Sequence, residues 1–360
     1  MKNKILKVIV VIIIMILIIG IFVYFINKNT KEGTSKMSGY ELKSNIKVVA
    51  SLEDEITEDT AWCGTFNLIW NDLKNDLAKQ DIVFTPQLKM VENLNKETFN
   101  TSYLSEESYY KTYGIPSIQL KEKIEKEIKE KFNETSDILD SFDWENAGPE
   151  DYFLYSMLKK EFEFPKQFTE LPNGKFGNYE NVKYFGINSS TDENVREQVE
   201  VLYYNSKDDF AIKLKTKTDD EVIISKGNTQ NTFKEIYEEI QKNNQNYKDN
   251  KALTKNDTLQ IPNIDFNVKK EYEELENNTF KFSNGEEYKI DKALQTIQFS
   301  LDKKGGKIRS EAGMMVSKSS LLQDKPREFL VNDTFCIFLK EKNKELPYFA
   351  SRISDITKVQ

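Results

Sequence analysis

Helical periodicity dominates the first half of this chain and strand alternation the second. Trp62, Phe66, Ile69, Trp70, Leu73 and Leu77 recur at spacings of three, four and one. That pattern predicts one buried helix face beginning near Asp59-Thr60. In LKEKIEKEIKEKFNETSDIL, Leu120, Ile124, Ile128 and Phe132 recur every four residues, and the intervening Lys and Glu predict a solvated face with i to i+4 pairs. Beyond residue 150 the pattern changes. YFLYSMLKKEFEF, VEVLYYN, DFAIKLKT, EVIISKG, TLQIPNIDFNV, LQTIQFSLD and TFCIFLKEK are short, aromatic or β-branched, and bounded by Asn, Asp, Gly and Lys. Ile297, Phe299 and Leu301 face one way while Gln298 and Ser300 face the other. A single helix, TFKEIYEEIQKNNQ, interrupts these strands. Helices first and strands after predict an α+β fold, with N-terminal helices followed by large, mostly antiparallel sheets, and exclude alternating βαβ units. No internal repeat is visible.

The chain has 360 residues and no histidine. No Ser-His-Asp or Cys-His catalysis and no His-containing metal site can be built from it. With 51 basic and 59 acidic residues the formal charge is −8, which gives no reason to expect a nucleic-acid partner. Cys63 and Cys336 can make at most one bridge, and two buried apolar thiols are the favoured reading. Adjacent carboxylates such as Glu53/Asp54 and Asp219/Asp220 point apart on a strand or loop and read as solvated turns, which leaves a hydrolase the weakest function class. Gly227 and Gly305-Gly306 read as turns outside any phosphate-binding motif. The expectation is a protein that is not an enzyme and needs no cofactor or metal.

Val8 to Ile26 form an unbroken apolar run, long enough at ~1.5 Å per residue to span a bilayer core of ~30 Å. No small-residue cleavage site follows it, so an uncleaved signal anchor is expected. Lys2, Lys4 and Lys7 favour a cytoplasmic tail at 1–7. The expected organisation is then a transmembrane anchor at 8–26, a tether at 27–44 and an extracellular domain at 45–360, in a single-pass cell-membrane protein. The weight of Lys, Asn and Ile points to an AT-rich, bacterial source.

The order of the pieces after residue 150 resembles that of the serpin family. The helix LKEKIEKEIKEKFNETSDIL followed by YFLYSMLKKEFEFPKQF is similar to the family's helix leading into a central strand that ends in an aromatic-basic motif. QVEVLYYNSKDDFAIKLKT resembles a later strand pair. In LQIPNIDFNVKKEYEEL, Pro262, Phe266 and Leu275 resemble a strand signature. IDKALQTIQFSLDKKGG resembles the strand and hinge before the reactive loop, and FLVNDTFCIFLKEKNKELPYFASRISDI the last strands, with Phe335, Phe338, Phe349 and Arg352 in matching places. Between IVFTPQL and YFLYSML the chain is shorter than in the family. Phe164 stands for a tryptophan, Ser156 for an asparagine and Leu88 for a serine, at polar positions that in the family gate sheet opening.

The resemblance implies a serpin-like fold with an exposed loop before the last strands, here Gly305 to Phe329. It implies inhibition of serine or cysteine proteases, with the protease as partner: the cleaved loop inserts into the main sheet and drags the acyl-enzyme with it. Two hinge registers stay open. Either Ser310, Glu311, Ala312 and Gly313 form a small hinge, or Gly305 and Gly306 do, and then Lys307, Ile308 and Arg309 fall where small residues are wanted. The expected scissile region is Lys318, Ser319, Ser320, Leu321, Leu322 and Gln323. A non-inhibitory binding or structural protein with the same fold, its loop a plain surface connection, is the alternative.

Overall fold

The computed structural model describes residues 45–306 and 326–360. Among the described residues no helix is long and apolar enough to cross a membrane. The 15-residue helix Ile118–Phe132 spans only ~22 Å at ~1.5 Å per residue and is studded with Lys and Glu. The expected single-pass membrane placement is corrected accordingly; the 8–26 run, the tail and the tether lie outside the described residues.

The chain starts with β1 (Lys47–Val48), parallel to β2 (Thr60–Cys63). The predicted helix does not begin at Asp59. Thr60–Cys63 is a strand, and Trp62, fully buried, belongs to it, because pairing with a strand from the far end of the chain outweighs the local helical spacing. Helix α1 (Thr65–Asn71) follows and runs directly into a π-helical segment, Asp72–Ala78. Then come α2 (Lys89–Lys96), β3 (Tyr109–Gly114) and α3 (Ile118–Phe132). Ser117 caps α3 by accepting the Leu120 N–H, and Asn133 ends it in the left-handed region at φ 55.

The strands then accumulate as β4 (Phe153–Leu158), β5 (Phe162–Glu163), β6 (Thr169–Phe176) and β7 (Tyr179–Ile187). After the short α4 (Glu193–Arg196) follow β8 (Val199–Ser206), β9 (Asp209–Lys215), β10 (Asp220–Lys226) and α5 (Phe233–Asn246). TLQIPNIDFNV breaks into two strands of different sheets, β11 (Thr258–Pro262) and β12 (Ile264–Glu271), because Pro262 interrupts the run. A small hairpin of β13 (Thr279–Lys281) and β14 (Glu287–Lys289) precedes β15 (Leu294–Leu301) and β16 (Gly305–Gly306). Beyond residue 325 come β17 (Glu328–Leu330), β18 (Phe335–Glu341) and β19 (Phe349–Ile353).

The α+β class is as expected. One sheet has seven strands in the order β1-β2-β19-β18-β10-β9-β8, and a second has four in the order β17-β11-β7-β6. The remaining pairings are two-stranded: β12 with β15, β16 with β5, β3 with β4, and β13 with β14. A large apolar core joins the inner faces of the two main sheets and the odd-numbered face of β15. Helix α3 buries Ile124, Ile128 and Phe132 against Phe153 and Tyr155 of β4.

Both cysteines are free thiols: Cys336 lies buried in β18, and Cys63, half-buried, ends β2. Burial pushes the Cys336 thiol up to about 12. Iodoacetamide at pH 8 should therefore modify Cys336 only after unfolding, and rapid labelling of the folded protein would show that this sheet opens readily.

Candidate functional site

The site is built where the described chain enters and leaves the 307–325 segment. β15 alternates as expected, with Ile297, Phe299 and Leu301 buried and Gln298 and Ser300 exposed. After it the chain reverses in a two-residue turn at Lys303-Lys304. Asp302 and Gly305 exchange N–H to carbonyl bonds of 3.2 Å each, and the Asp302 carboxylate accepts the Lys304 N–H at 2.7 Å. Gly305 then pairs with Glu163, and Gly306 with Phe162, antiparallel to β5. Gly305 has φ +128, and a Cβ there would lie 2.3 Å from the Phe162 carbonyl oxygen. Only glycine permits that approach. The first residues of the loop segment thus run antiparallel to both β15 and β5, between them.

Below this point no ladder joins β15 to β4 among the described residues. Each strand instead reaches the first turn of α1. Ser156 of β4 donates to the Thr65 carbonyl oxygen at 2.7 Å. Gln295 of β15 donates through Nε2 to the Cys63 carbonyl at 3.0 Å and to Thr65 Oγ1 at 2.9 Å. The Tyr272 hydroxyl, fully buried, donates to Gln295 Oε1 at 2.7 Å. Two strands without mutual backbone bonds are therefore held by one helix terminus and three uncharged side chains.

Around β5 the packing is aromatic and ionic. Phe164 meets Phe168 edge-on at 4.8 Å in the main core. Lys160, between β4 and β5, bridges Glu341 at 2.6 Å and Asp220 at 3.2 Å, and Tyr348 donates to Asp220 at 3.1 Å. Burial pushes Glu341 up, but the Lys160 ammonium and the Ser105 N–H outweigh it and hold the carboxyl below its ordinary value. For Asp220 burial wins and the value is raised. The solvated-turn reading is thus corrected for Asp220, which is buried, and for Asp54, whose carboxylate accepts the Ala50 and Ser51 N–H groups and an Asn93 amide.

The chain leaves the 307–325 segment at Arg327, which nothing in the sequence pattern singles out. Its N–H donates to Asp257 Oδ1 at 2.7 Å, and its guanidinium reaches Asp257 Oδ2 at 2.8 Å and the carbonyls of Asn250 at 2.6 Å and Ala252 at 2.7 Å. β17 then pairs in parallel with β11. Of the expected site residues, Gly305 and Gly306 form β16. Ser310, Glu311, Ala312, Gly313, Lys318, Ser319, Ser320, Leu321, Leu322 and Gln323 lie outside the described residues.

No protein-family model matches the chain, and none of the curated proteins does. Solved structures do match it, serpins among them. The chain is similar to a thermophilic serpin, tengpin, in its native state, at 12% identity and TM-score 0.48, over 84% of this chain and 90% of that one. It is similar to thyroxine-binding globulin in complex with thyroxine at 10% identity and TM-score 0.46, over 83% and 93%. A third is Serpin48 of the insect Tenebrio molitor, at 12% identity and TM-score 0.38, over 71% and 78%.

The distal anchor yields a stability prediction. Burial opposes ionisation of Asp257, but Arg327 and the N–H groups of Arg327 and Thr254 outweigh it and hold the carboxyl below its ordinary 3.8. A carboxyl lowered in the folded state stabilises fully above its unfolded value, and that contribution is lost as pH falls through the lowered one. Arg327→Ala should cost about 3–5 kcal/mol near neutral pH by leaving Asp257 buried and uncompensated. Urea unfolding at pH 7 and pH 3 checks this: the difference from the parent should shrink at pH 3, and an equal difference at both would remove the charge from the explanation.

Proposed function

We propose that this chain is a serpin-type inhibitor that traps a serine or cysteine protease by inserting its cleaved loop between β15 and β4. The observation that carries the reading is the reversal at Lys303-Lys304, which starts an antiparallel strand in the space between β15 and β5. Continued in the register of Asp302 with Gly305, that strand would set Ile308 opposite Phe299, Ser310 opposite Ile297 and Ala312 opposite Gln295. All three β15 residues are buried. Lys307 and Arg309 would fall opposite Ser300 and Gln298, which are exposed. Side chains alternate strictly along a strand, so neither cation need enter the core, where its head group would cost several kcal/mol.

The two hinge registers left open by the sequence therefore become compatible. Gly305 makes the reversal, and the small residues Ser310 and Ala312 take core-facing positions further along. Ala312 would arrive beside the Ser156, Thr65 and Gln295 clasp, so insertion there requires the two strands to part. The scissile bond stays in the proposal at Lys318 to Gln323.

Incubation with a panel of serine and cysteine proteases tests both activity and register. The parent should form an SDS-stable covalent complex, and loop cleavage should raise its melting temperature by tens of degrees. Glu311→Arg, on the outward face, should retain the complex, whereas Ala312→Arg should convert the protein to a substrate. Cleavage of the parent without complex or melting shift would sink inhibition and leave a non-inhibitory binding role; equal behaviour of the two variants would sink the register.

A further inference from the structure

One rung of the seven-stranded sheet sets two carboxylates against each other. Asp220 of β10 and Glu341 of β18 are direct cross-strand partners, 3% and 4% exposed. Like charges directly opposite are destabilising, and burial strengthens the repulsion. Lys160 stands between them, its Nζ 2.6 Å from Glu341 Oε1 and 3.2 Å from Asp220 Oδ1. It is the one cation in an ion pair with either carboxylate among the described residues. Two carboxylates sharing one ammonium leave a buried negative charge uncompensated.

The other groups facing the cluster come from the elements packed around it. Ser105 donates its N–H and its hydroxyl to Glu341 Oε1 at 2.7 and 2.8 Å, and the hydroxyl lies 3.4 Å from Lys160 Nζ. The Tyr348 hydroxyl donates to Asp220 Oδ1 at 3.1 Å, and Lys160 Nζ lies 5.6 Å from the Tyr348 ring centroid. Thr218 donates to Asp220 Oδ2 at 3.1 Å. Next along the two strands, Glu221 and Lys340 point to the opposite face and pair with each other at 2.9 Å. Lys159 is held by Glu134 and Glu161, and Lys217 by Glu163. Lys344 donates to the Ser102 carbonyl, while Asp219, Lys342 and Glu345 are exposed.

A single proton resolves the imbalance. Protonated at Oδ2, Asp220 can donate to the Thr218 hydroxyl, the present bond reversed, so no new partner is needed. Lys160 then has one carboxylate to neutralise, Glu341. Burial already favours the neutral form of Asp220, whereas Lys160 and Ser105 hold Glu341 below its ordinary 4.5. With Asp220 raised, the folded chain binds more protons there than the unfolded chain does. Its contribution to stability therefore rises as pH falls through the raised value, and the gain is complete below the ordinary 3.8.

We propose that Lys160, Asp220 and Glu341 form a latch that takes up one proton and thereby tightens the hold of β10 and β18 on the β4–β5 junction. That junction leads into Phe162 and Glu163, on which Gly306 and Gly305 pair. Mild acid would then fix the strand that receives the start of the 307–325 segment. This consequence for insertion rests on the inhibitor reading; the latch itself does not.

Hydrogen exchange across residues 153–164 of the full chain, corrected for its intrinsic pH dependence and followed from pH 8 to pH 4, tests the latch without any protease. Exchange in the parent should slow severalfold on acidification. Asp220→Asn, neutral at every pH, should already exchange slowly at pH 8 and lose most of the pH response. Lys160→Met leaves the two carboxylates facing each other and should exchange fastest at pH 8 and slow the most. Because Lys160→Met can fail to fold, the comparison of the parent with Asp220→Asn decides. No slowing in the parent, or the same slowing in Asp220→Asn, overturns the proposal.

Discussion

The arrangement depends on two strands that lie near each other without being bonded to each other. β4 is satisfied on one side by β3, and β15 on one side by β12, while their other edges face a space with no ladder among the described residues. Edges of that kind present rows of backbone donors and acceptors to whatever strand can reach them. What holds them at a fixed separation is the first turn of α1, through Ser156 and Gln295. Individually such bonds contribute on the order of 1 kcal/mol net. A full ladder over a strand of this length contributes several times that, and among the described residues these two edges lack one.

The two ends of the 307–325 segment are fastened by different physics. At Gly305 the fastening is backbone to backbone, in a turn whose tightness depends on a missing side chain. At Arg327 it is a buried ion pair surrounded by carbonyl acceptors, which loses most if either partner is removed. Backbone pairing at the first end can extend residue by residue, whereas the ion pair at the second is either made or broken. The two fastenings are therefore independent, one a backbone pairing and the other a buried ion pair.

Much of this frame is legible in the sequence because its determinants are local. The i to i+4 repeat of Leu120 to Phe132 gives α3, and the alternation of Ile297, Phe299 and Leu301 gives β15 with the correct inner face. Where long-range pairing decides, the reading fails. Trp62 satisfies a helical spacing but sits in β2, fixed by β19 some 290 residues later in the chain. The hairpin of β6 and β7 escapes notice because Pro172-Asn173-Gly174 imitates a turn, whereas in the fold it lies where the β6–β7 register shifts. Gly305 and Ser156 carry a signal through the family resemblance. Gln295, Thr65 and Arg327 carry none, since each acts through a partner far away in sequence: Cys63, Ser156 and Asp257 respectively.

The absence of histidine gains a structural meaning from the clasp. Its side chains are Ser156, Thr65, Gln295 and Tyr272, and burial holds the Tyr272 hydroxyl well above its ordinary value. Glutamine supplies a donor and an acceptor in one planar group, so it can bridge Tyr272 to Thr65 with no proton gained or lost. An imidazole in that role would change charge near neutral pH and tie strand separation to proton concentration. With Gln295 the separation of β4 from β15 is governed by hydrogen bonds whose strength does not change between pH 5 and pH 8. Acid sensitivity is left to carboxylates held low by a cation, such as Asp257 at the distal anchor and Glu341 beside β5.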